Sequence, residues 1–87
     1  MRILQGCVAM NTNEVTPHLG GLYCYPYPVI LRNEEKNDVV KDLESYDLFV
    51  VLEVIRKVSG NYLKVLTTTG EIGVTLYSPR YLKMHYE

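Results

Sequence analysis

The sequence predicts an all-β fold: a small barrel of five to six short antiparallel strands, with one 3₁₀ turn near residues 78–81. Three observations predict it. Val, Ile, Thr, Tyr and Phe, which suit a pleated and half-buried surface, supply 30 of the 87 residues, against a single Ala. The turn groups Ser59-Gly60-Asn61 and Thr69-Gly70-Glu71 fall ten residues apart between alternating apolar runs, as in an antiparallel meander. Short strands in such number must also hide their edges, and closure into a barrel does so.

At 87 residues the chain holds one core and is read as one domain, 1–87. Such a chain buries roughly 64% of its unfolded surface. Residues 3–12 read as a first strand ending at the polar group Asn11-Thr12-Asn13, and Pro17 and Gly20-Gly21 punctuate the loop after it. Leu22-Tyr23-Cys24-Tyr25 is extended and aromatic. Because Pro26 and Pro28 cannot both donate to a central ladder, this stretch is expected at an edge or as an irregular arm.

Residues 32–38 are almost wholly polar and read as a solvated loop tip, with a recognition loop at Glu34-Glu35 as the competing reading. Val39–Leu43 is a brief strand. Leu48–Lys57 is the strongest strand, its β-branched content outweighing a helical reading, and its even positions Leu48, Val50, Leu52 and Val54 form an unbroken apolar face. Strands at 62–68 and 72–77 form a hairpin, and a last short strand spans 82–86. The expected core is Val8, Val50, Leu52, Leu63, Val65 and Ile72. Gly73, inside a strand, is expected where a side chain would collide or the strand bends. Gly70, at a turn, is expected to tolerate Asn.

Charge and the opening residues set the expected partner and location. Lys+Arg 9 against Asp+Glu 10 leaves net charge −1, so nucleic acid is not an expected partner. No run approaches the roughly 18 apolar residues of a membrane span. Met-Arg-Ile-Leu-Gln-Gly carries one basic residue and too short an apolar run for a secretory leader. The expected location is therefore cytoplasmic or virion-associated, with no membrane partner. Cys7 and Cys24 are expected as reduced, buried or half-buried thiols. Joined by His18 and His85 they are the candidates for a metal, but no ligand spacing supports one, and no metal or cofactor is expected.

Chemistry is sparse. No nucleophile elbow, zinc-protease motif or phosphate loop is present, and the two histidines lie 67 positions apart, so no catalytic residue is assigned and no enzyme expected. The eight tyrosines are the stronger lead. Tyr23, Tyr25 and Tyr27 alternate on a proline-stiffened segment and so project to one side, exposed, as residues for contacting a partner. The competing reading packs each ring at the barrel rim with its hydroxyl in water.

The segment Val39-Val40-Lys41-Asp42-Leu43-Glu44-Ser45-Tyr46-Asp47-Leu48-Phe49-Val50-Val51-Leu52-Glu53 resembles the bacterial SH3 pattern V-I-G-x-L-x-x-G-D-x-V-x-V-L-E. Gly60-Asn61-Tyr62-Leu63-Lys64-Val65 is similar to that family's G-N-W-x-K-V. Thr69 to Val74 is similar to its D-G-x-x-G-W, and Tyr81-Leu82 to its closing Y-L. Residues 39–82 match well and 6–31 loosely. Tyr46 stands at the turn glycine, Tyr62 and Val74 stand at tryptophan positions, and the chain has no Trp. The resemblance implies an SH3-like barrel and adds Tyr62 and Tyr81 to Tyr23, Tyr25 and Tyr27 as partner-binding residues. Apart from the resemblance, the want of a leader and of a catalytic constellation leads to the expected function, a non-enzymatic binding or assembly module acting through protein–protein contacts, such as a phage or other particle component. The alternative is a peptidoglycan-binding module of a lytic system. The partner is a protein or peptide, with a second copy of the chain among the candidates.

Overall fold

The structure, a computed structural model, describes residues 17–85. The expected first strand at 3–12, with Cys7 and Val8, lies outside these residues. Among the described residues there is no helix, and hence none long and apolar enough to cross a membrane. Seven strands follow in order: β1 (Leu22–Cys24), β2 (Val29–Arg32), β3 (Val39–Leu43), β4 (Phe49–Lys57), β5 (Gly60–Thr67), β6 (Ile72–Leu76) and β7 (Lys83–Met84). All pair antiparallel in one sheet of order β3-β2-β6-β5-β4-β1-β7. The sheet curls into a half-barrel, which bears out an all-β, barrel-like fold; among the described residues β3 and the two-residue β7 are its outer strands. The short β7 and the charges Lys41, Asp42 and Lys83 blunt those edges.

The proline stretch is not an edge, and the irregular reading holds at residues 25–28, which lie outside any strand. β1 pairs with β4 on one side and β7 on the other, and β2 pairs with β3 and β6. Pro26 and Pro28 sit in the connection between β1 and β2, where no ladder needs their missing N–H. The turn at 78–82 carries the expected 3₁₀-type bond, Tyr81 N–H to the Ser78 carbonyl (3.1 Å), and Leu82 N–H reaches the same oxygen.

The longest hairpin is β4–β5, which pairs Phe49 with Thr67 at one end and Lys57 with Gly60 at the other. Its register shifts between Val51 and Glu53, leaving Leu52 as the extra residue of a bulge. A bulge moves the inward face by one position. Phe49 and Val51 point into the core before it, and Val54 packs against the core after it. The expected even face therefore holds only at Val54. Val50 is half-buried and Leu52 is 36% exposed. Ile72, also expected inside, is 50% exposed because it pairs with Leu66 on the outer face. Leu63 and Val65 are fully buried as expected. Val51→Ala should accordingly cost on the order of 1–3 kcal/mol and Val50→Ala under about 1. Urea melts of both variants check this, and the reverse order would put the wrong face inside.

β5 and β6 join through Thr68-Thr69-Gly70. Gly70 N–H closes the turn onto the Thr67 carbonyl, and Thr67 N–H bonds the Glu71 carbonyl. The Glu71 carboxylate accepts the Thr67 and Thr69 hydroxyls, which holds it below the usual glutamate range. Gly70 has φ +96°, so although a Cβ there meets open space, Asn carries backbone strain rather than being neutral. The loop between β2 and β3 is exposed, as expected, and tied internally. The Asn33 side chain accepts from the N–H groups of Glu35 and Lys36, and Asn37 takes the left-handed conformation at φ 62°.

Candidate functional site

Tyr25 organises the first site. Its ring is 2% exposed, stacked on Tyr27 (centroids 5.2 Å apart) and tilted against Phe49 (5.8 Å). Its hydroxyl donates to the Leu76 carbonyl (3.3 Å) and accepts the Ser78 N–H (2.9 Å). Its own carbonyl accepts the Tyr46 N–H (2.8 Å). One buried side chain and its backbone thus anchor two turns, 44–47 and 78–82. Burial pushes the phenol pKa up to about 12, partly offset by the Ser78 hydrogen bond.

Each anchored turn carries a more exposed tyrosine. Tyr81, 49% exposed, meets the half-buried Tyr27 edge-on at 5.9 Å. Tyr46 is 59% exposed in a turn closed by Asp47 N–H onto the Glu44 carbonyl, with the Asp47 carboxylate accepting Glu44 N–H. It holds φ 68°, the left-handed region that favours glycine and is unusual for a bulky residue. Tyr46→Gly should stabilise the domain by about 1 kcal/mol, read by thermal melting. A loss of stability would mean that the ring contributes more than its backbone costs.

Among the five sequence-predicted residues the structure brings Tyr25, Tyr27 and Tyr81 together. The exposed arm is corrected at its first two tyrosines. Tyr23 is wholly buried, its hydroxyl accepting the His18 backbone N–H (2.7 Å), and Tyr25 is core, so neither presents a free surface to a partner. Tyr23 and Tyr25 face the interior, and Tyr27 packs half-buried against it. Tyr62 stands apart on β5. The Lys57 ammonium lies 5.7 Å from its ring centre, and its hydroxyl meets the Ser59 hydroxyl at 3.3 Å.

Tyr62 belongs to a second feature, a groove of about 480 Å³ on the outer face of the sheet. β2 and β6 pair at one position only, Arg32 with Val74, and Ile30 and Leu76 line the groove beyond it. Sequence reading missed this groove because it depends on β2 and β6 becoming neighbours although β3, β4 and β5 lie between them in the chain. A smaller cavity of about 310 Å³ shares Asn33, Glu34 and Val74 with it. Cys24 is buried, and burial pushes its thiol above the usual range. Among the described residues no three metal-ligating side chains converge.

No protein-family model, no curated protein and no solved structure matches the chain.

Proposed function

We propose that this domain is a non-enzymatic, SH3-like binding module that works through protein–protein contacts in an assembly such as a phage or other particle. One observation carries the reading: a half-exposed Tyr27–Tyr81 pair fixed on the buried Tyr25. Tyrosines with few rotatable bonds, held from beneath, lose little entropy on meeting a partner, and such rings dominate interface energies. The left-handed Tyr46 adds support, because it stands at the turn glycine of the bacterial SH3 pattern. The module acts in the cytoplasm or on the particle, with a protein, a peptide or a second copy as partner.

Peptide-display selection on the wild-type domain tests this. Selected peptides should bind Tyr81→Ala at least about tenfold more weakly, while that variant melts within about 1 kcal/mol of wild type. A selection that yields no Tyr81-dependent peptide would overturn the reading. Tyr81-dependent sedimentation with purified peptidoglycan would instead assign the module to the cell wall.

A further inference from the structure

The outer-face groove has a floor and a charge that no contact within the described residues accounts for. Ile30 and Leu76, 50% and 56% exposed, supply its aliphatic lining. Arg32 and Lys57 stand on the same groove. Arg32 donates one N–H to the Asn37 carbonyl (3.1 Å), which holds the guanidinium at the rim with donors to spare. Lys57 lies over the Tyr62 ring. Among the described residues neither cation has a carboxylate within ion-pairing distance. The one acid on the groove wall, Glu34, is engaged by Lys64 at 3.6 Å. The groove is therefore aliphatic below and cationic at its rim, although the chain as a whole is at −1.

We infer that this groove is a second binding site, for an extended peptide that alternates aliphatic and acidic side chains. Alternation matches an extended chain, whose successive side chains point opposite ways: one set seats on Ile30 and Leu76, and carboxylates of the other reach Arg32 and Lys57. Arg32 supplies the planar fork that suits a carboxylate, and Lys57 a point charge. The volume of about 480 Å³ suits a short segment. An acidic saccharide fits less well: its rings stack on aromatic faces, and the sole aromatic of the groove, Tyr62, is already covered by Lys57.

Fluorescence anisotropy with a fluorescein-labelled Gly-Ile-Asp-Leu-Asp-Ile-Gly peptide tests the site. Binding should saturate, weaken with salt, and fall about tenfold or more in Arg32→Glu and in Lys57→Glu. It should survive Arg56→Glu, an exposed neighbour outside the groove, and Tyr81→Ala, which keeps this test separate from that of the tyrosine pair. Thermal melts confirm that each variant is folded, and Arg32→Gln and Lys57→Gln serve where a charge reversal is not. Absence of saturable binding, equal binding of the Asp-to-Lys peptide, or equal loss in Arg56→Glu would each overturn the inference. Binding of a polyuronate oligosaccharide but not of the peptide would overturn it in favour of a saccharide site.

Discussion

Tyr25→Ala is expected to cost on the order of 3–5 kcal/mol, the range for deleting a buried aromatic ring. That is a large share of the roughly 5–15 kcal/mol that holds a small domain folded. The ring fills the space between Tyr27 and Phe49, and its loss also strips the Ser78 N–H and the Leu76 carbonyl of their partner. Tyr25→Phe separates the two effects: it keeps the ring and should cost about 1–2 kcal/mol for the unpaired backbone groups. The surface reading of this residue would have made Tyr25→Ser harmless to the monomer; a 2% exposed ring overturns that.

The same phenol gives an alkaline signature. Its folded pKa of about 12 lies above the ordinary tyrosine value of 10, so folding favours the neutral form. The stability this contributes is fully present below pH 10 and is lost as pH rises toward about 12. Tyr25→Phe should flatten that part of the stability profile. Urea melts of wild type, Tyr25→Phe and Tyr25→Ala from neutral to alkaline pH measure both effects. A cost under about 1 kcal/mol for Tyr25→Ala would mean that the ring is not part of the core.

Gly73→Val is the second large effect. A Cβ at Gly73 would lie 2.7 Å from the Leu31 Cβ and 3.4 Å from the Arg32 carbonyl oxygen. The first neighbour is bonded to backbone and cannot swing away, so β2 and β6 must separate to admit it. Those strands pair at one position, Arg32 with Val74, so little holds them together against the strain. Overpacking of this kind costs about 1–3 kcal/mol and occasionally more; Gly73→Ala should fall in that range and Gly73→Val above it. Chemical denaturation checks the order. If Gly73→Val matched Gly70→Asn, the close approach of β2 to β6 would be wrong.

Local pattern by itself determined that the fold is all-β, where β3 through β6 run within a residue or two, and that Gly73 marks a position where a side chain would collide or the strand bend. Those features rest on β-branched content, alternation and turn residues, all of which act over a few positions. The partner strands were not legible, because each depends on segments distant in sequence. Pro26 and Pro28 argued for an edge at short range, yet β1 and β2 lie inside the sheet because the prolines fall between them. Alternation at Tyr23, Tyr25 and Tyr27 predicted a shared exposed side, but packing with Phe49 and Leu82 puts Tyr23 and Tyr25 in the interior. At Leu52 the apolar run reads smoothly through a bulge, since every residue from Leu48 to Leu52 is apolar and no polar side chain marks the shift. Only the pairing of β4 with β5 decides there which of those side chains turns inward.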